Sequence, residues 1–113
     1  MRRWTALVPV MALLLSGCLL QRPAGEGTIR FRDTVFAGVT VTDDQVYGHN
    51  LSQTGAPTDL RYDLYEPAGD TSERRPLIIW VHGGSFSAGN ENSPEIVVQA
   101  NHFARKGYVN ASI

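Results

Sequence analysis

The residues best suited to chemistry are His82-Gly83-Gly84-Ser85, standing directly after an uninterrupted apolar run, Leu77-Ile78-Ile79-Trp80-Val81. Glycines just past the carboxyl end of a strand let backbone N–H groups turn outward toward a ligand. Other candidates are scattered. The chain has three histidines, His49, His82 and His102, and one cysteine, Cys18. Their spacing does not suggest a metal site, and a single cysteine excludes an internal disulfide. Asp43-Asp44 and the Glu91–Glu95 region carry oxygens that could in principle bind Ca²⁺, but no EF-hand pattern surrounds them. The expectation is no metal and no cofactor. His49 falls in a polar stretch and reads as solvated, and His102 reads as a surface or boundary residue.

The elements that must position the Gly-Gly segment are legible on both sides of it. Pro76 ends what precedes, and the five apolar residues from Leu77 are too few for a helix buried all round. They suit a central strand covered on both faces, as in a parallel sheet. The crevice at the carboxyl ends of such strands is where open α/β sheets place their sites. After a polar stretch, Ser93-Pro94-Glu95 reads as a helix start, with serine as N-cap, proline at the first position and an acid in the first turn. Ile96, Val97, Ala100, Phe103 and Ala104 share one face at helical spacing. Arg105-Lys106 suits the negative end of that helix, and Gly107 its termination. The run from Tyr108 to Ile113 starts another strand, which completes a βαβ unit with a right-handed crossover.

Upstream, Asp59 to Pro67 alternates strictly: Leu60, Tyr62 and Leu64 on one side, Arg61, Asp63 and Tyr65 on the other. That is the pattern of a half-buried strand. Thr28–Arg32, Val35-Phe36 and Val39–Thr42 are shorter β-rich pieces, Asp43-Asp44 a turn, and Asn50 to Pro57 a loop. The expected sheet is mixed. The strand at Leu60–Leu64 runs antiparallel to its neighbours, and Leu77–Val81 and Tyr108–Ser112 run parallel. The helix, from about Pro94 to Lys106, packs Ile96, Ala100 and Phe103 on that sheet.

Val81-His82-Gly83-Gly84-Ser85-Phe86 after a buried strand resembles the oxyanion-hole segment of the α/β-hydrolase family, in its esterase and lipase branch with an H-G-G-G type motif. The segment Leu60 to Pro67 also resembles the Leu-x-Leu-Asp-x-Tyr-x-Pro strand that precedes the oxyanion strand in those esterases. The resemblance implies that the backbone N–H groups of Gly83, Gly84 and Ser85 stabilise the oxyanion of ester hydrolysis. Losing one such donor typically costs about 3–4 kcal/mol. It implies that His82 shapes the loop and is not the catalytic base. Ser85 stands where the commonest pattern has a third glycine; it still offers its N–H. The family's nucleophile belongs in G-x-S-x-G on a strand-to-helix turn, and no such pentapeptide occurs in the 113 residues. Two near misses around Ser85 and Ser87 each lack one glycine and are not followed at once by a helical pattern. By the resemblance, nucleophile, acid and catalytic histidine all lie beyond Ile113.

The amino terminus has its own logic. Met1-Arg2-Arg3 is basic, Trp4 to Leu15 is mostly apolar, and small residues follow, which is the layout of a secretory signal. The apolar run falls short of the roughly 20 residues a membrane span needs. Leu15-Ser16-Gly17-Cys18 resembles the lipobox of bacterial lipoproteins, which makes Cys18 the lipidated residue. Multiple acyl chains anchor stably, at about 0.8 kcal/mol per buried CH₂. Gln21 to Gly27, with Pro23 and two glycines, reads as a tether. Asn50-Leu51-Ser52 and Asn110-Ala111-Ser112 match the glycosylation sequon, a coincidence in a lipoprotein of bacterial type.

Composition sets outer limits. The chain is 42% hydrophobic and 19% charged with a net charge of -1. That is ordinary globular composition, with no electrostatic case for nucleic acid or an acidic membrane surface. One-domain α/β proteins commonly run to about 200–250 residues, so the expectation is an incomplete α/β fold. It is the amino-terminal part of an α/β-hydrolase sheet, with strands first and then the βαβ unit. Residues 1–17 form the signal peptide, 18–27 the tether, and 28–113 the amino-terminal portion of the domain. The function expected is that of an exported serine esterase, lipid-anchored to a bacterial membrane or secreted. Its substrates would be small-molecule or carbohydrate-linked esters. The competing reading is a non-catalytic surface lipoprotein that uses this half-fold as a binding module.

Overall fold

The structure is a computed structural model that describes residues 27–85 and 88–113. Cys18, the signal peptide and most of the tether lie outside the described residues, as do Phe86 and Ser87. Four strands and one helix follow in order: β1 Val39–Leu51, β2 Pro57–Pro67, β3 Leu77–Trp80, α1 Pro94–Ala104 and β4 Val109–Ser112. They make one mixed sheet in the order β1-β2-β4-β3. The β1–β2 and β2–β4 pairs are antiparallel, and β3–β4 is parallel. The expected mixed topology and the βαβ unit are therefore present.

α1 covers one face of the sheet. Ile96, Ala100 and Ala104 are buried along it, and Tyr65 of β2 joins Ala100 and Ala104 in the core, flanked by Val39, Trp80 and Val97. The Trp80 and Phe103 rings lie 5.8 Å apart. Gly107 ends the helix as expected, at φ 108. Its N–H donates to the Ala104 carbonyl at 2.8 Å and that of Tyr108 to the Phe103 carbonyl at 3.3 Å. This is the paired bonding of a Schellman end. A side chain at Gly107 would also strike Arg30, with Nε 2.7 Å from the added Cβ. Ser93 occupies the N-cap position but makes no side-chain cap bond. Its hydroxyl donates instead to the Asn90 carbonyl at 2.9 Å, a local bond that competes with capping.

Several expectations need correction. Leu77–Val81 is not covered on both faces: Leu77, Ile79 and Val81 are 56%, 58% and 70% exposed. The run is apolar on both faces, but among the described residues only α1 lies against the sheet, on the side of Trp80. β3 is also an edge strand, hydrogen-bonded to β4 alone. Within β2 the alternation holds, yet the fully buried positions are Asp63, Tyr65 and Pro67, while Leu60, Tyr62 and Leu64 are half-buried. The helix decides this by covering the Tyr65 face. Thr28–Arg32 is a turn and not a strand. The Asp33 N–H reaches the Ile29 carbonyl at 2.9 Å, the Asp33 carboxylate accepts from the Ile29 N–H, and Phe31 has φ 69. Val35 and Phe36 also lie outside the sheet, both donating to the Arg105 carbonyl at 2.9 Å. Asp43-Asp44 is not a turn between elements but an irregularity inside β1.

Candidate functional site

The parallel pair β3–β4 sets the position of the Gly-Gly segment. The ladder continues past Trp80: the Ile113 N–H donates to the Trp80 carbonyl at 2.9 Å, and the His82 N–H to the Ile113 carbonyl at 3.4 Å. Beyond His82 the chain leaves the sheet in the loop between β3 and α1, at the carboxyl end of both parallel strands. Gly83, Gly84 and Ser85 are exposed there.

The loop is tight. Gly84 has φ 126 and Ser85 φ 53. The Ala88 N–H closes back on the Gly84 carbonyl at 3.1 Å. A Cβ on Gly84 would fall 1.9 Å from the Ala88 carbonyl oxygen, so this position requires glycine. Ser85 holds a backbone conformation in which a third glycine would be unstrained, and a side chain there is disfavoured by about 1–2 kcal/mol. The N–H groups of Gly83 and Ser85 donate to no described residue.

His82 is locked to its own loop. Its Nδ1 lies 2.6 Å from the Gly83 carbonyl oxygen, which can only accept, so Nδ1 carries the proton. Gly89 completes the enclosure at φ 95, where a Cβ would lie 2.3 Å from both the Gly83 oxygen and His82 Nδ1. Sequence reasoning passed over Gly89. Its signal was the turn composition of Ala88-Gly89-Asn90, which gave no hint that the glycine packs on a histidine ring.

The other candidates do not converge on this loop. His49 is in β1 rather than a polar loop, exposed, with Nδ1 2.8 Å from Asp59 Oδ1. His102 is exposed on α1 with its ring edge-on to Phe103. Asn110 of the second sequon is fully buried in β4; Trp80 Nε1 donates to its Oδ1 at 3.0 Å. Asn50 of the first sequon is exposed in β1. Among the described residues no helix is long and apolar enough to cross a membrane.

Three carboxylates do converge: Asp44, Asp63 and Glu91 each present an oxygen within 4.8 Å of the others. Asp63 is fully buried, and burial pushes its carboxyl above the usual range, reinforced by the charges of Asp43, Glu91 and Asp44. The Asp44 N–H opposes that rise by donating to Asp63 Oδ1 at 2.9 Å. Glu91 is brought in from the β3–α1 loop, where its carbonyl accepts from the Ser112 hydroxyl. Asp63 escaped notice as a site residue because strand alternation gives its facing, not what it faces.

Residues 62–113 match the model of the BD-FAE family, a family of α/β-hydrolase-like esterase domains. No curated protein and no solved structure matches the chain. The matched range holds the second half of β2 and all of β3, the glycine loop, α1 and β4, and the likeness to a hydrolase-like family supports a general hydrolase reading. β1 and the residues before it lie outside the match.

Proposed function

We propose that the chain supplies the oxyanion-stabilising half of an exported serine esterase. The observation that carries this reading is the exposed Gly83-Gly84-Ser85 turn placed between β3 and α1. Acyl-transfer enzymes of this architecture draw an oxyanion donor from the loop after their third strand. In this reading the Gly83, Gly84 and Ser85 N–H groups bind the charge that develops on the former ester carbonyl. A donor held before the reaction begins needs no reorganisation as the charge forms, which is why it lowers the barrier. The structural role of His82 is to brace the loop through the Gly83 carbonyl. Nucleophile, acid and base come from sequence outside these 113 residues, since no G-x-S-x-G occurs among them. Cys18 carries the lipid that holds the enzyme at a bacterial membrane, and the substrates are small or carbohydrate-linked carboxylic esters.

The test uses the protein from the whole reading frame. Wild type should cleave p-nitrophenyl acetate. Gly84→Ala keeps its N–H, but its Cβ cannot fit against the Ala88 carbonyl and must displace the loop; kcat should fall about 10²–10³-fold while KM changes little, the signature of transition-state donors moved out of place. Circular dichroism must show that the variant is folded. A folded wild-type protein without ester hydrolysis would sink this reading in favour of the binding module. For the anchor, Cys18→Ser should move the protein from the membrane pellet to the soluble fraction; continued fatty-acid incorporation in that variant would refute the lipobox assignment.

A further inference from the structure

The acidic group at the end of the sheet is a built feature, assembled by four separate pieces of chain. Between Thr42 and Gln45 the β1–β2 register shifts: Thr42 pairs with Leu64 and Gln45 with Tyr62, so three steps on β1 oppose two on β2. That extra residue is a β-bulge, a device that re-aims side chains. It puts Asp44 at φ 56 with its N–H on the Asp63 carboxylate. Ser112 of β4 is the register partner of Asp63, and its hydroxyl holds the Glu91 carbonyl. Glu91 is thereby drawn onto the same spot from the β3–α1 loop.

Within the group, Asp63 and Glu91 lack a counter-charge among the described residues. Asp63 is fully buried, and its Oδ2 has no hydrogen-bond partner among the described residues. A buried carboxylate oxygen without a partner is unfavourable by the full desolvation of that atom. Arg61 approaches Asp44 alone: its Nη1 stands 4.0 Å from Asp44 Oδ1, and its Nη2 binds Asp59 at 3.0 Å. No cationic side chain forms an ion pair with Asp63 or Glu91 among the described residues. Asp43 adds a further negative charge nearby.

We propose that Asp44, Asp63 and Glu91 bind a hard divalent cation of the calcium type. All donors are oxygens, the ligand class that Ca²⁺ takes. Their mutual separation, within 4.8 Å, suits ligands around one ion with Ca–O distances of about 2.3–2.6 Å. Asp44 is exposed and Glu91 half-buried, so the ion has an entry path, and water completes its shell. The buried Asp63 oxygen gains the partner it lacks. Binding fastens the β3–α1 loop to the β1 bulge, an effect independent of any esterase activity.

The experiment is calorimetric titration of the full chain, stripped with chelator, with CaCl₂ and separately with MgCl₂. The expected result is one saturable Ca²⁺ site with Kd of about 10⁻⁴–10⁻³ M, the range of extracellular modules, and weaker Mg²⁺ binding. Glu91→Gln and Asp44→Asn sit at accessible positions and should each weaken Ca²⁺ at least about tenfold, with unchanged circular dichroism. Glu95→Gln, in the first turn of α1 and outside the cluster, should leave the titration unchanged. The proposal fails if no saturable heat appears. It fails equally if both cluster variants bind like wild type, or if Glu95→Gln weakens binding as much as they do, since the effect would then be diffuse charge.

Discussion

Two buried aspartates seven positions apart in the chain have opposite surroundings. Asp70, in the loop after β2, has a side chain only 4% exposed and is surrounded by donors. Arg30 grips both of its oxygens, the Ser72 N–H donates to it at 3.1 Å, and Arg75 Nε stands 3.5 Å away. The same Arg30 reaches Ser72 Oγ at 2.9 Å and the Gly107 carbonyl at 3.2 Å, tying the segment before β1 to the helix end. Asp63, inside β2, has one N–H donor and a ring of acids. Hydrogen bonding to Arg30 holds the Asp70 carboxyl well below the usual carboxylate range, whereas burial raises that of Asp63. Buried carboxylates therefore do not share one energetic role. A matched one locks the fold, and an unmatched one leaves capacity for a ligand.

The largest expected effect comes from breaking the matched site. Arg30→Ala removes charged hydrogen bonds to Asp70 and leaves that carboxylate buried, which should cost about 2–3 kcal/mol in urea unfolding. A loss below experimental error would show that the Arg30 pair is incidental. The unmatched site should respond with the opposite sign. Asp63→Asn, without Ca²⁺ at pH 7, should stabilise by about 1 kcal/mol, the scale on which a buried hydrogen-bonding group counts. A clear destabilisation would mean that the Asp63 charge is already compensated.

Titration sharpens the same contrast. Asp70 has a depressed pKa, so its contribution is present above the ordinary carboxylate value near about 4 and is lost as pH falls through its lower folded value. Asp63 has a raised pKa, so its contribution is present below about 4 and declines as pH rises toward its higher folded value. Arg30→Ala should flatten the acid limb of a stability–pH curve, and Asp63→Asn the limb above it. Smaller still is Glu66→Gln, which removes the charge of the partly exposed pair with Arg75 at 2.9 Å and should cost about 0.5 kcal/mol. Least of all is Asp59→Asn on the hairpin, whose carboxylate faces His49 and Arg61 in solvent; its unfolding midpoint should equal that of wild type.

Local patterns carried much of the architecture. Pro94, the Ile96/Ala100/Ala104 spacing and Gly107 delimit α1 because capping and helical periodicity act within a few residues. Alternation located β2, and the apolar run located β3, whose abrupt end at His82 predicted the glycine loop at the carboxyl edge of the sheet. What the chain could not state locally was which face each strand would bury. Tyr65 and Asp63 went inward, and Leu77 and Ile79 stayed exposed, because only the docking of α1 decides which side of a strand is covered. Asp43-Asp44 reads as a turn in one dimension, since paired aspartates favour turns. Pairing with β2 absorbed them as a bulge instead and set Asp44 against Asp63. Residue types and spacing determined where the glycine loop leaves the sheet. The meeting of Asp44, Asp63 and Glu91, drawn from positions far apart in the chain, exists only because strand register and the β3–α1 crossover bring them together.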